Sequence, residues 1–127
     1  MSTTFGPVIP ILRMYDLTRT LEFYVGYLGC TVDWQDGDGE APTYLRVSRG
    51  DLVLHLSSHH DDGTPGSAVF VETQGVSELH AELHATGYRH MFPGLEPHPR
   101  GLELTVIDPA SNRLRFFERA AGPPQAG

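Results

Sequence analysis

Tyr44-Leu45-Arg46-Val47-Ser48-Arg49-Gly50-Asp51-Leu52-Val53-Leu54-His55-Leu56-Ser57-Ser58 is the stretch whose reading decides the fold. Apolar and polar residues alternate on both sides of Ser48-Arg49-Gly50-Asp51, the pattern of two antiparallel strands joined by a turn. The pattern returns between Leu102 and Glu118, where Asp108-Pro109-Ala110-Ser111-Asn112 makes the turn. Upstream of the first hairpin, Val8 to Met14 is expected to be a strand, and Asp16 is placed to cap a helix. Leu17, Leu21, Tyr24 and Leu28 follow at helical spacing, and Gly29 supplies a left-handed stop. Cys30 to Trp34 resumes as a strand before the turn at Asp36-Gly37-Asp38-Gly39. After a polar connector, Ser58 to Gly66, the same order recurs. Ala68 to Glu72 is a strand, Val76, Leu79 and Leu83 mark a helix that ends at Gly87, and Tyr88 to Phe92 starts a strand ahead of a Pro/Gly-rich loop. The chain therefore reads as one α+β domain over residues 1–127, built from two βαβββ modules at about 7–57 and 66–118, with a disordered tail at 119–127.

Composition narrows the function classes. The formal charge of -7 arises from 16 acidic against 9 basic residues, and all nine bases are arginine. Without lysine there is no Schiff-base chemistry and no phosphate-loop lysine, and an acidic balance argues against a nucleic-acid groove. Neither a membrane span nor a signal peptide is visible, so a cytoplasmic protein without a membrane partner is expected. Cys30 is the only cysteine, which excludes an internal disulfide and a cysteine-cluster metal site. Its expected role is a small core residue at the start of a strand.

Tyr15-Asp16-Leu17 through Glu22-Phe23-Tyr24 to Leu28-Gly29, and Asp108-Pro109 through Asn112-Arg113-Leu114, resemble the vicinal-oxygen-chelate superfamily. With Ser48-Arg49-Gly50-Asp51-Leu52 and the Asp62-Gly63-Thr64-Pro65-Gly66-Ser67 connector, the likeness is to the glyoxalase/bleomycin resistance group, above all the bleomycin resistance proteins, and it extends from Pro7 to Glu118. The resemblance implies two curved sheets forming an open barrel-like groove, completed by a homodimer. It does not fix an activity, since the superfamily holds lyases, isomerases, dioxygenases, thiol transferases and drug-binding proteins.

Catalytic members hold a divalent ion with four inward-facing ligands, one each from the first and last strands of both modules. In the first module's last strand, Leu52, Leu54 and Leu56 are expected to pack under a helix, which turns Val53, His55 and Ser57 to the groove. His55 matches a ligand position. Ile9 stands at the first-strand position, Gly66 or Ala68 at the fifth, and Arg115 faces inward from the last strand. One imidazole among these cannot hold a divalent ion, so His55 is expected to be a hydrogen-bonding groove residue. The His59-His60-Asp61-Asp62 run is read as a solvated loop.

The groove then reads as a binding surface. Trp34, His55, Phe70, Phe92, Arg100, Glu103 and Arg115 are its expected ligand contacts, the aromatic residues stacking a planar ligand and the carboxylate attracting a cationic one. Bleomycin resistance proteins carry a tryptophan where this chain has Arg100, before Gly101. Arg100 and an inward Arg115 shift the expectation toward an anionic or carbonyl-rich ligand. The resulting expectation is a metal-free homodimer that sequesters a small molecule, such as a bleomycin-type antibiotic, with no catalytic residue and no cofactor. The alternative is a metal-dependent glyoxalase-like lyase or isomerase, or a ring-cleaving dioxygenase, that uses His55.

Overall fold

A computed structural model of the protein describes residues 2–121. The elements run β1 (Ile11–Arg13), α1 (Leu17–Leu21), which continues as a π-helical segment (Glu22–Tyr27), β2 (Thr31–Asp36), β3 (Tyr44–Arg49), β4 (Leu52–Ser57), β5 (Ala68–Glu72), α2 (Val76–His84), β6 (Leu95–His98), β7 (Gly101–Ile107) and β8 (Arg113–Arg119). They form two open four-stranded sheets, ordered β1-β4-β3-β2 and β5-β8-β7-β6, and no closed barrel. In each sheet the module's first strand runs parallel to its last, while the remaining pairs are antiparallel. The expected duplication is thus a duplication of sheet order.

Three boundaries differ from the expectation, each for a local reason. β1 is shorter than Val8–Met14 because Pro7 and Pro10 have no N–H to give a ladder. Pro10 still contributes its carbonyl, which accepts from the His55 amide at 3.0 Å. The second strand of the second module is Leu95–His98 rather than Tyr88–Phe92. Tyr88 instead stacks on Tyr27, with ring centroids 4.5 Å apart, and so fills space between the modules. Arg119, the first residue of the expected tail, closes β8; residues 122–127 lie outside the described residues.

The first helix begins as its sequence demands. Asp16 accepts from the Arg19 amide at 3.0 Å, satisfying one of the donors that a helix start leaves free. It then widens, and the Leu28 amide reaches back to the Phe23 carbonyl at 2.8 Å. This five-residue step suits apolar residues at 23, 24, 27 and 28, all of which are buried. At the other helix the cap comes from a distant strand. Glu118 of β8 accepts from the amides of Gly75 and Val76 at 3.1 and 2.8 Å, placing a carboxylate at the N-terminus of α2.

One core serves both modules. Leu12, Phe23, Leu45, Val47, Leu54 and Leu56 from the first merge with Val76, Leu83, Leu104, Val106, Leu114 and Phe116 from the second. Each such burial contributes about 1.5–3 kcal/mol before conformational entropy is subtracted. Cys30 lies in this core, and burial pushes its thiol up to about 11. Two polar links join the modules beneath the surface. Tyr24 donates from its hydroxyl to Asp108 Oδ2 at 2.6 Å, and Asn112 donates from Nδ2 to the Arg13 carbonyl at 2.8 Å. Asp108 also accepts from the Ala110 and Asn112 amides at Oδ1 and from Asn112 Nδ2 at Oδ2, so the buried carboxylate is fully partnered. At the surface, Arg49 grips Glu82 with two hydrogen bonds of 2.6 and 2.9 Å.

Candidate functional site

Strand register places one row of side chains across the first sheet: Ile11, His55, Arg46 and Trp34 are successive neighbours on β1, β4, β3 and β2. His55 lies opposite Leu54 and Leu56, which are buried, whereas Ser57, expected to line the groove, is itself buried with its hydroxyl bonded to Asp62. Tyr44, one row away, draws the aromatic residues together. Its ring stacks on Trp34 with centroids 5.7 Å apart and planes within 8°, and both rings present edges to or meet the imidazole of His55 at 5.2–5.4 Å. Trp34 keeps 42% of its surface exposed, so one ring face stays open to a ligand.

The imidazole is fixed by its neighbour. Tyr44 Oη lies 2.5 Å from His55 Nδ1. Burial, with the charge of Asp62 second, raises the Tyr44 pKa and keeps the phenol protonated. The phenol donates to Nδ1 in the imidazole tautomer with its hydrogen on Nε2 and accepts from Nδ1–H in the other. Arg46 sits beside His55 with Nε 3.2 Å from Asp33 Oδ2, an ion pair without hydrogen-bond alignment. A bulge between Val32 and Trp34 leaves Asp33 as the extra residue and sets Trp34 opposite Arg46, while Asp33 also accepts from Ser48 Oγ at 3.0 Å. The first face therefore combines an aromatic platform, an oriented imidazole and a guanidinium.

The second sheet carries its own rows. Phe70, Arg115 and Thr105 are neighbours across β5, β8 and β7, and Glu72, Phe117, Glu103 and Glu96 form the next row across all four strands. Phe70 is largely exposed and leans on Phe117 at 5.5 Å. Arg115 is exposed on the same face, opposite the buried Leu114 and Phe116. Glu103 is oriented by Thr105 Oγ1, which donates to Oε1 at 3.0 Å. Beside this sheet an open groove of about 730 Å³ runs between Leu52–Leu54 on β4 and Val69–Glu72 on β5, reaching the first turns of α2. Asp51, Glu72, Glu78 and Glu82 stand along it, and Phe70 is its exposed aromatic.

Of the seven residues read as ligand contacts, the structure groups Trp34 with His55 on the first sheet, and Phe70, Glu103 and Arg115 on the second. Phe92 lies apart from both groups, against His84 at 6.0 Å. Arg100 occupies the tight turn between β6 and β7. The adjacent Gly101 allows that turn: a Cβ there would overlap the Glu118 carbonyl and the Phe117 ring. Tyr44 and Arg46 were missed, although they alternate along β3 with Leu45 and Val47, which are buried. His59, His60 and Asp61 are exposed in the connector, and Asp62 is taken up by the Ser57 hydroxyl at 2.7 Å.

Residues 2–123 match the family described as glyoxalase superfamily protein. The chain belongs to the glyoxalase superfamily. Among solved structures, it is similar to the bleomycin-binding protein of the bleomycin producer Streptomyces verticillus, complexed with copper(II)-bleomycin. That chain is 29% identical, with 94% of this chain and 100% of that one covered and a TM-score of 0.67. A bleomycin resistance determinant encoded on the transposon Tn5 is 18% identical over 92% of this chain and 100% of its own, with a TM-score of 0.70. A glyoxalase-related enzyme from Clostridium phytofermentans is 20% identical over 93% and 98%, also at 0.70. The last two likenesses speak for the fold. No curated protein matches the sequence.

The superfamily's metal position can be tested on the residues present. His55 is flanked on its row by Ile11 and Arg46, an aliphatic side chain and a cation, and its Nδ1 is occupied by Tyr44. On the second sheet, Phe70 and Arg115 stand on the paired first and last strands; of the carboxylates on those two strands, Glu72 is ion-paired with Arg119 at 3.2 Å and Glu118 is taken up by the α2 amides. These residues do not fit a divalent ion. Among the described residues, His55 belongs to no group of three or more convergent His, Cys, Asp or Glu side chains. Among the described residues, no helix is long and apolar enough to cross a membrane.

Proposed function

We propose that the protein is a cytoplasmic, homodimeric small-molecule-binding protein of the bleomycin-resistance type, which sequesters a drug or related ligand in grooves at the dimer interface and needs no metal at the superfamily position. The observation that carries this reading is the Trp34–Tyr44–His55 platform: a half-exposed indole braced by a parallel ring, beside an arginine, on an open sheet face. Such a surface holds planar ligands by stacking and by desolvation. Each copy also offers the Phe70–Arg115–Phe117–Glu103 face, and a two-fold pair sets the first face of one copy toward the second face of its partner. Carboxylates along the groove beside β5 favour a cationic ligand part, while Arg46 and Arg115 favour carbonyl or anionic groups. A ligand carrying both fits this charge pattern.

The enzyme reading lacks support at the place where it must act, because Ile11 and Arg46 are the row neighbours of His55. The test is a titration of the purified protein with bleomycin, followed by the fluorescence of Trp34, the sole tryptophan, together with the thermal midpoint and sedimentation of the dimer. Saturable quenching at one drug per groove is expected. Unchanged fluorescence and midpoint at millimolar drug would sink the bleomycin assignment, and a monomer at all concentrations would sink the shared groove.

A further inference from the structure

The hairpin β6–β7 carries three metal-donor side chains that the family's metal position does not account for, and of these only Glu103 enters the ligand reading. Glu96 and His98 are two residues apart on β6, so they share a face, and register sets Glu103 of β7 directly across from Glu96. Their donor atoms all lie within 4.8 Å of one another. His98 Nε2 is 3.4 Å from Glu103 Oε2 and 3.9 Å from Glu96 Oε2. Ligands bound tetrahedrally at about 2.1 Å stand roughly 3.4 Å apart, so these separations are those of a coordination shell and need little movement to close on an ion.

Three further features favour a cation there. Two carboxylates directly opposite on neighbouring strands repel, and among the described residues no arginine ion-pairs with either of them. Thr105 ties down Oε1 of Glu103 and leaves Oε2 on the His98 side, the outer hydrogen bond that orients a ligating carboxylate. The Phe117 ring, which fills the space over Gly101, the cross-strand partner of His98, stands edge to face with the imidazole at 6.4 Å and helps to hold it.

We propose that Glu96, His98 and Glu103 form a binding site for a divalent transition-metal ion of the zinc class. One imidazole and two carboxylates suit Zn2+ or Co2+ better than Ca2+, which takes six or more oxygens. Three protein ligands leave a coordination position for water or for a donor atom of a bound molecule. The site lies on the outer two strands of the second sheet and shares only Glu103 with the small-molecule face.

The test uses the full chain, stripped with chelator and free of drug, and titrated with Co2+ and Zn2+. One equivalent of Co2+ should produce the visible absorption bands of a four- or five-coordinate site, and Zn2+ should displace them and raise the thermal midpoint. His98→Ala should abolish the bands, and Glu103→Gln should weaken binding at least tenfold, while both variants keep the far-ultraviolet spectrum of the parent. His84→Ala, a control on the helical His80/His84 pair, should bind as the parent does. Absence of the bands in the parent, or their survival in His98→Ala, overturns the proposal. Bleomycin titration of His98→Ala separates the two readings, because drug capture is expected to remain when the metal is lost.

Discussion

Replacing Tyr24 by phenylalanine removes a single oxygen from the bond that ties the first helix to the second module's turn. The hydroxyl is wholly buried and donates to a carboxylate at 2.6 Å. Hydrogen bonds to charged groups contribute about 1.5–3 kcal/mol. Asp108 Oδ2 retains Asn112 Nδ2 at 2.9 Å, so it is not orphaned and the lower half of that range applies, about 1.5–2 kcal/mol. For a chain of this length the thermal midpoint should fall by roughly 5–10 °C. Tyr27, one helical turn on, is the matched control: it is equally buried, and its hydroxyl has no partner. Tyr27→Phe should therefore be neutral or stabilising, since it removes an uncompensated polar group. Thermal and urea unfolding followed by circular dichroism compares the two. Equal shifts in both variants, or a fall of less than about 1 °C in Tyr24→Phe, would refute the reasoning.

Four other outcomes are expected. Trp34→Ala removes roughly 100 Å² of exposed indole surface, or about 1–2.5 kcal/mol of ligand affinity, so calorimetry with bleomycin should show a weakening of roughly 5- to 60-fold, with Trp34→Phe in between. Glu118→Ala leaves two amides of the α2 start unsatisfied and should cost about 1–2 kcal/mol in urea unfolding, with Glu118→Gln recovering part of it. Stability should fall as pH rises from about 9 toward 11, because the folded Cys30 thiol holds its proton more tightly than the unfolded one. Cys30→Ala should flatten that part of the urea-midpoint profile. Gly101→Ala should lower the thermal midpoint sharply through the overlap with the Glu118 carbonyl, and a variant with parental stability would show that the hairpin has another way to turn.

The parts of this fold that sequence pattern reveals are those where each residue's environment is set by its own strand or helix. Leu54, His55 and Leu56 alternate between core and open face, and that period places His55 without any knowledge of its neighbours. β6 escaped because Leu95-Glu96-Pro97-His98 has a single apolar residue and a proline; it is held at the sheet edge by β7, a partner that sequence does not name. Tyr88 misled for the converse reason, since its aromatic side chain suits a strand but is used to pack against Tyr27. The Glu118 cap and the Tyr24–Asp108 bond join residues 42 and 84 positions apart, and only the assembled fold brings them together. The platform was half legible: Trp34 and His55 stood out as residue types, whereas Tyr44 and Arg46 became partners through register.

Each sheet draws its four strands from one module alone, and among the described residues every backbone-to-backbone hydrogen bond stays within a module or its flanking connector. What joins the halves is side-chain packing, Tyr24 to Asp108, Asn112 to the Arg13 carbonyl, and Arg49 to Glu82. A break in the connector at residues 60–62 therefore severs no ladder. Two gene products, one ending there and the other beginning there, are expected to reassemble when co-expressed, and ligand-dependent reassembly would turn the protein into a split sensor.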